Sequence, residues 1–482
     1  MKESSRFYSS LGLLIILNAI IKPLWIFAID RQVQNVVGTE VYGNYFALFN
    51  LSIVFSFLLD WGLTIYFNRQ LAAQQADLIS RAGNFLFLKL IFAAVYSAIV
   101  FLAAWISGIE HWGILLSIVL IQVFLSLFLF FRSVITSQQW FQTDSWLSVL
   151  DKTLMIILCG SLLYFPAVFG SMTIHKFLFA QVICTSLAMI SALVILLRRG
   201  VAFPISRLGI GIKILRDAVP FAMIVVLMSV HIRLDGFLLE RMHPNGAYEA
   251  GRYAAAFRLL DAANMVGYLF ASFLLPYIAR QWKEKKEIET VVTGSRHFLL
   301  MFTVFIVVSV YFLAPWFSRI LYPASGEELG VILQYCIPAL VGYSLIHIYG
   351  TLLTATGHVI LFCYITLFAV VINIVLNLLL IPSMGAKGCC IAALSSQLFC
   401  GLATMLAANR KTRVQFRLRW LLMNIFTAGF LFALFYSTRN LLINNWLLLA
   451  GAGMSTLLLM AIPNIAAIRS WAFSLRKINH NQ

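Results

Sequence analysis

Apolar runs of about 20 residues recur along the whole chain, and this feature restricts the fold more than any other. A helix of that length matches the ~30 Å hydrocarbon core of a bilayer. The runs lack the alternation of polar and apolar residues that strands would need. Because lipid offers no hydrogen-bond partners to the backbone, each run must satisfy its own polar groups as a helix. The sequence therefore predicts an all-α polytopic membrane protein.

Composition supports this prediction. The 482 residues are 61% hydrophobic and 11% charged, with a mean hydropathy of +0.91. A soluble domain carries about 25% charged residues, so too few polar side chains exist to cover a water-facing surface. We predict about fourteen transmembrane helices, at 9–29, 42–62, 83–107, 113–135, 147–166, 174–197, 214–240, 250–279, 297–320, 329–353, 359–382, 386–408, 420–439 and 444–468.

The distribution of basic residues predicts the orientation of these helices. With the N-terminus in the cytoplasm, the cytoplasmic segments hold twenty-three of the 35 basic residues, among them Arg132 and Arg296. The outer loops hold six, which are Arg31, Lys176, Arg241, Arg319, Lys387 and Arg439. This bias follows the positive-inside rule, so both termini are predicted to be cytoplasmic. It also explains the net charge of +17 without a nucleic-acid partner.

A weak internal repeat predicts how the helices are grouped. Residues 43–51 (GNYFALFNL) and 251–259 (GRYAAAFRL) share G-x-Y-x-A-x-F-x-L, and Gln181 to Cys184 resembles Gln397 to Cys400. Both matches have similar offsets, so they indicate two parallel six-helix bundles, an arrangement common in transporters. We predict an N-terminal six-helix lobe at 1–200, a C-terminal six-helix lobe at 201–409, and two additional helices with a cytoplasmic tail at 410–482.

Ten charged residues remain in or beside the predicted spans. A charge at the bilayer centre costs roughly 2.5–3.5 kcal/mol, so such groups must face a wet cavity, pair with each other or lie near an interface. The basic residues are Lys22, Lys89, Lys152, Arg233, Arg252 and Arg258, and the acidic residues are Asp60, Asp151, Asp235 and Asp261. The basic excess suits an anionic substrate such as one that bears phosphate.

Helical spacing and this excess predict the functional residues. Arg258, Asp261 and Asn264 form a polar stripe at i, i+3 and i+6. The predicted cationic, substrate-binding cavity contains Lys22, Lys152, Arg233 and Arg258, and the predicted coupling or pairing acids are Asp60, Asp235 and Asp261. Two alternatives stay open. Arg258 and Asp261 can form a purely structural ion pair, and Lys89, Lys152 and Arg252 can reach the interface instead of a cavity.

Several function classes are disfavoured by the residues. No Walker A, GxSxG or HExxH pattern is present, and the cysteines show no CxxC spacing, so we predict no cofactor and no metal site. No predicted loop exceeds about 20 residues, which leaves no room for a catalytic domain. A membrane-embedded polysaccharide polymerase or ligase would need a large outer loop, so we predict that the protein is not an enzyme. A purely structural scaffold would not explain the charges inside the spans.

The residues also resemble a known family. Residues 370–397, VVINIVLNLLLIPSMGAKGCCIAALSSQ, are similar to an N-x3-LN-x3-IP-x2-G-x2-G-x2-IA pattern of bacterial polysaccharide transporters, the Wzx-like lipid-linked oligosaccharide flippases. The matching residues are Asn373, Asn377, Pro382, Gly385 and Gly388. Residues 36–63, and the block from Leu234 and Asp235 to Arg258, resemble other parts of that family. The likeness runs nearly end to end.

The resemblance implies a function. It implies movement of an undecaprenyl-diphosphate-linked oligosaccharide across the bacterial cytoplasmic (inner) membrane by alternating access, for cell-surface polysaccharide biosynthesis. The implied partners are this substrate and membrane lipids, with H+ or Na+ as the open choices of coupling ion and polysaccharide assembly proteins as further contacts. The alternative is a cation-coupled drug antiporter on the same fold, which predicts an acid-rich cavity and twelve helices. The identity and length of the glycan stay open.

Overall fold

The structure, a computed structural model, is helical throughout the residues that it describes. These are 13–14, 16–62, 82–138, 140–204, 212–323, 327–412, 414, 418–439 and 444–461. Eleven helices among them are long and apolar enough to cross a membrane, and Asn445–Met460 is a shorter apolar helix. Two further helical stretches precede the first of these eleven. The predicted all-α polytopic fold is confirmed, and the helix count agrees with about fourteen.

The bounds of the helices are as follows. Helix α1 covers 16–37 and contains a π-helical turn at Trp25–Asp30. The others are α2 (Thr39–Val54), α3 (Ala82–Ile106), α4 (Trp112–Ser137), α5 (Phe141–Tyr164), α6 (Ile174–Arg198), α7 (Ile212–Met242), α8 (Gly246–Lys283), α9 (Glu289–Leu321), α10 (Glu328–Ala355), α11 (Val359–Met384), α12 (Ala386–Thr412), α13 (Leu418–Thr438) and α14 (Asn445–Ala461).

Several basic residues that the sequence assigns to the loops lie within helices. Arg31 lies in α1, Arg132 lies in α4, and Arg296 lies in α9. Arg296 is buried and donates from Nη1 to the Tyr349 hydroxyl at 2.8 Å. The sides of the membrane predicted for these three arginines stay predictions. Hydropathy marks the apolar part of a span, whereas a helix continues wherever a charge finds a partner inside the protein.

The chain forms two compact units. The first unit contains the described parts of Met1–Arg258 and Val370–Cys389, and the second contains those of Leu259–Ala369 and Cys390–Gln482. In the first unit α2 packs against α7, and α4 packs against α6. In the second unit α9 packs against α10, α13 and α14. The predicted lobe boundaries at residues 200 and 409 stay a prediction.

The two glycines of the internal repeat lie at one helix crossing in the first unit. A Cβ atom on Gly43 of α2 would lie 1.8 Å from the Ala247 carbonyl oxygen and 2.7 Å from the Gly251 nitrogen. A Cβ atom on Gly251 of α8 would lie 2.0 Å from the Thr39 carbonyl oxygen. Only glycine permits this backbone approach at both positions. Gln34 also donates from Nε2 to the Gly251 carbonyl oxygen at 2.8 Å, which fixes the crossing.

The turn between α11 and α12 explains two glycines of the family-like pattern. Gly385 has a positive φ of 54°, a conformation that other residues adopt at a cost of roughly 1–2 kcal/mol. Gly388 lies so close to Leu380 that a Cβ atom would be 2.5 Å from its carbonyl oxygen. Glu249 of α8 accepts from the Ala386 backbone N–H at 2.8 Å and so satisfies one free donor at the start of α12.

Candidate functional site

Helix α1 is irregular beside Lys22. Pro23 has no backbone N–H and removes one helical hydrogen bond, and the π-helical turn at Trp25–Asp30 follows it. The wider turn buries Trp25, Ile29 and Asp30. Lys22 itself is half-buried. It therefore lies next to a helix distortion of a kind that is frequent at functional sites.

Lys22 belongs to a group of five charged residues from α1, α4 and α5, which we call the Lys22 cluster. The charges that act on Lys22 are those of Asp151, Arg132 and Lys152. Arg132 Nε lies 2.7 Å from Asp144 Oδ1, and its Nη2 lies 3.1 Å from Oδ2, so the pair is bidentate. Lys152 Nζ lies 3.3 Å from Asp151 Oδ2 and 5.4 Å from the centre of a Trp25 ring.

The Lys22 cluster contains one more basic residue than acidic residues. Three cations share two carboxylates, and both carboxylates are buried and already paired with Arg132 and Lys152. Within the described part of the chain, Lys22 makes no ion pair with any carboxylate at 4 Å or less. The surplus charge therefore resides on Lys22. A bound anion would neutralise it at a place where burial makes an unpaired charge costly.

Arg258 is engaged in a buried ion pair in the first unit. Its Nε lies 2.7 Å from Asp30 Oδ2, and its Nη2 donates to the Tyr42 hydroxyl at 3.2 Å. Tyr42 in turn donates to Asp30 Oδ1 at 2.9 Å, and Asp30 is 2% exposed. The helical spacing suggests Asp261 as the partner of Arg258, but the structure supplies Asp30 from the π-helical turn. These contacts favour a structural role for Arg258 over phosphate binding.

Asp60 pairs with Lys89 at the end of α2. Lys89 is only 2% exposed, and its Nζ lies 2.6 Å from Asp60 Oδ1 and 3.1 Å from Ser126 Oγ. Lys89 also donates to the carbonyl oxygen of Leu59, where a 3₁₀ turn closes the helix. A cavity of about 340 Å³ adjoins the pair and is lined also by Gln122. Lys89 is therefore buried within the protein and neutralised by Asp60.

Asp235 of α7 lies in a buried cluster of neutral groups. Asn377 donates from Nδ2 to Asp235 Oδ1 at 2.8 Å and to Asn373 Oδ1 at 3.1 Å, and Tyr253 donates to Asp235 Oδ2 at 3.4 Å. Asp235 is 1% exposed, and within the described residues no basic side chain pairs with it. The two asparagines of the family-like pattern therefore belong to the hydrogen-bond network of one buried acid. Such an acid can take up a proton or a small cation.

The remaining predicted residues have different surroundings. Arg233 of α7 is half-buried, with its guanidinium 4.9 Å from the centre of the Phe257 ring. Asp261 is half-buried in the second unit. In that unit His347 Nε2 lies 2.9 Å from Asn264 Oδ1, at a π-helical turn of α10 (Ile346–Gly350).

The structure brings together only some of the predicted residues. Lys22 and Lys152 lie in one cluster, whereas Arg258, Asp60 and Asp235 each have their own partners. The sequence analysis missed Asp30 and Asp144, since a single acid in an apolar run gives no sign of its partner. The roles of all seven predicted residues stay predictions.

The comparisons with known proteins agree on the fold. The structure of "Lipid II flippase MurJ, inward closed conformation" superposes with a TM-score of 0.70 at 16% identity, covering 95% of this chain and 99% of that one. An inward-facing multidrug resistance MATE family transporter of the MOP superfamily gives a TM-score of 0.60 at 16% identity, covering 83% of this chain and 98% of that one.

A third structure is a MOP superfamily transporter from Pyrococcus furiosus, described as having reverse polarity of its binding pocket. It gives a TM-score of 0.62 at 14% identity and covers 83% of this chain and 94% of that one. A comparison with curated protein sequences finds no match. These likenesses define the class, a polytopic helical membrane protein with the fold of MOP superfamily transporters. A model of the family described as "Polysaccharide biosynthesis protein" matches residues 8–282. Because this match covers more than half of the chain, the protein belongs to that family.

Proposed function

We infer that the protein is a flippase that moves an undecaprenyl-diphosphate-linked oligosaccharide across the bacterial cytoplasmic membrane by alternating access. The family membership supports a role in polysaccharide biosynthesis, and the fold supports transport. The observation that carries the proposal is the surplus positive charge of the Lys22 cluster. A half-buried cation without a carboxylate partner suits a substrate that brings its own negative charge.

Lys22 is the residue we propose to bind the diphosphate. Arg132 and Lys152 are held by Asp144 and Asp151, so they set the local potential but are less free to bind. Lys22 presents three donors on a flexible stem and can follow a moving phosphate. Arg233 is the second proposed contact, because its planar face is already supported by the Phe257 ring.

Asp235 is the acid we propose for coupling to H+ or Na+. Its carboxylate contacts only amide and hydroxyl groups, so ionisation without a bound cation would be costly in its buried site. Asp60 is less suited because Lys89 already neutralises it. The close Gly43–Gly251 crossing is the contact we propose to part when the protein opens toward its predicted outer side.

The proposed function is tested by replacing Lys22 and Arg233 singly with alanine at matched protein levels. Each variant should trap lipid-linked sugar on the cytoplasmic leaflet and reduce surface polysaccharide. Lys286→Ala is the matched control, because Lys286 is an exposed residue that forms an ion pair with the nearby Glu284. Lys22→Arg should keep part of the activity because the charge is retained. Undiminished export by Lys22→Ala and Arg233→Ala would refute the phosphate-binding assignment.

The alternative is a cation-coupled drug antiporter. The multidrug transporters among the structural neighbours support this alternative. A host that gains resistance to toxic organic cations on expression of the protein would favour it. That resistance should then depend on Asp235 and should be unaffected by Lys22→Ala. The flippase proposal predicts that polysaccharide export depends on Lys22 as well as on Asp235, so Lys22→Ala separates the two functions.

A further inference from the structure

A small basic cavity lies where the helices α9, α13 and α14 end together in the second unit. Its volume is about 230 Å³. The polar and aromatic side chains that line it are Trp316 and Arg319 near the end of α9, Thr438 and Arg439 at the end of α13, and Asn445 at the start of α14. We call it the Arg319–Arg439 cavity. Its two arginines are two of the six basic residues that the sequence places on the outer side.

Both arginines of this cavity are exposed side chains that contact neutral groups. Arg319 donates from Nε to the Pro315 carbonyl oxygen at 3.2 Å, and Arg439 lies over the Tyr436 ring at 4.1 Å from its centre. Among the residues that the structure describes, no carboxylate pairs with either guanidinium. Each arginine lies near the C-terminus of its helix, where the helix dipole stabilises a positive charge. This position does not account for the presence of two arginines in the lining of one cavity.

Other groups around the cavity also suit an anion. The N-terminus of α14, a helix of 17 residues, carries the positive end of its dipole at Asn445. The side chains of Thr438 and Asn445 add neutral hydrogen-bond donors. Trp316 and Trp446 pack edge to face at 4.8 Å beside the cavity, and tryptophan is enriched at the level of lipid headgroups. The residues therefore combine phosphate-binding groups with a tryptophan pair of the kind that is enriched at lipid headgroups.

We propose that the Arg319–Arg439 cavity binds a phosphate-bearing anion of headgroup size. Small-molecule sites usually have volumes of about 300–1,000 Å³, so this cavity is too small for an oligosaccharide and fits one phosphate group with its immediate substituents. Two guanidinium groups bind a phosphate with several parallel hydrogen bonds. The phosphate can belong to an anionic phospholipid or be free in solution. The site is separate from the Lys22 cluster, and the inference does not depend on the proposed flippase function.

The test is native mass spectrometry of the purified full-length protein with phosphatidylglycerol and, separately, phosphatidylcholine. Wild-type protein should retain phosphatidylglycerol in preference. Arg319→Gln and Arg439→Gln should each weaken this binding about tenfold and the double variant about a hundredfold. Arg319→Lys should give an intermediate loss, because it keeps the charge without the guanidinium geometry. Arg280→Gln is the matched control in the same unit, since Arg280 is 79% exposed and outside the cavity.

The outcomes separate the sources of the phosphate. Displacement of the lipid by millimolar inorganic pyrophosphate supports a site for free phosphate groups, whereas retention of the lipid supports a headgroup site. The melting temperature of each variant without added lipid shows whether it is folded, and the single variants decide the question where the double variant is unstable. Folded variants that bind phosphatidylglycerol as wild type and Arg280→Gln do would overturn the proposal.

Discussion

The crossing of α2 and α8 can be tested by adding a single methyl group. In Gly43→Ala the new Cβ would lie 1.8 Å from the Ala247 carbonyl oxygen, whereas ordinary van der Waals contact begins at 3.4 Å. The obstructing atoms belong to the backbone of α8 and cannot rotate away. The two helices would have to separate by about 1.6 Å at this point. Gly251→Ala meets the same obstacle from the other side, at the Thr39 carbonyl oxygen.

The size of the effect follows from two opposing terms. Overpacking of this kind costs about 1–3 kcal/mol, and the short distance places Gly43→Ala at the upper end of that range. Alanine returns about 1 kcal/mol through its higher helix propensity. The net loss is then about 2 kcal/mol, which corresponds to a fall in melting temperature of roughly 4–8 °C on the scale of the larger single domains.

The assay is thermal unfolding of the purified protein in detergent, followed by intrinsic fluorescence. The matched controls are Gly294→Ala in α9 and Gly429→Ala in α13, where an added Cβ meets nothing within 4 Å. Both controls should melt at or slightly above the wild-type temperature, because they gain helix propensity without a clash. If Gly43→Ala melts together with these controls, α2 and α8 do not cross at these glycines.

The other predictions concern the charges in the first unit. Asp235→Asn should abolish transport while leaving the melting temperature unchanged or higher, since the amide keeps the hydrogen-bonding shape without a buried charge; both are measured on the same preparation. Arg258→Met should cost about 3–5 kcal/mol by thermal unfolding, and adding Asp30→Leu should recover most of it, because only the single variant strands a buried charge. Lys89→Met should destabilise less than Arg258→Met in the same measurement, because its partner Asp60 is 31% exposed and water can solvate it.

Features with a period along the chain could be predicted from the sequence. The apolar runs fixed the helices, because bilayer thickness and backbone hydrogen bonding leave few alternatives. The repeat marked Gly43 and Gly251 as equivalent, and the structure explains the equivalence by placing both at one crossing. The sequence could not show that the two glycines touch each other, since similarity within a chain does not specify contact.

Pairing between charges could not be predicted, and the reason is distance along the chain. Asn377 and Asp235 are 142 positions apart. Arg258 of α8 pairs with Asp30 of α1, and six helices lie between these two in the sequence. Spacing rules find partners three or four residues away, so they proposed Asp261 for Arg258. The only sequence feature near the π-helical turn that positions Asp30 is Pro23, which lies just before it.

The pattern of neutralisation is more informative about function than the number of buried charges. A count of charges treats Arg258, Lys152 and Lys22 alike, yet Arg258 and Lys152 each have a carboxylate within 4 Å. Pairing lets a buried charge exist in the membrane without any ligand, so paired charges are explained by stability and specificity of packing. A surplus charge has no such explanation and needs water, lipid or a ligand. On this criterion Lys22 is the residue of the first unit that is best suited to bind a negatively charged molecule, while the exposed arginines of the Arg319–Arg439 cavity are proposed on the grounds of their shared cavity.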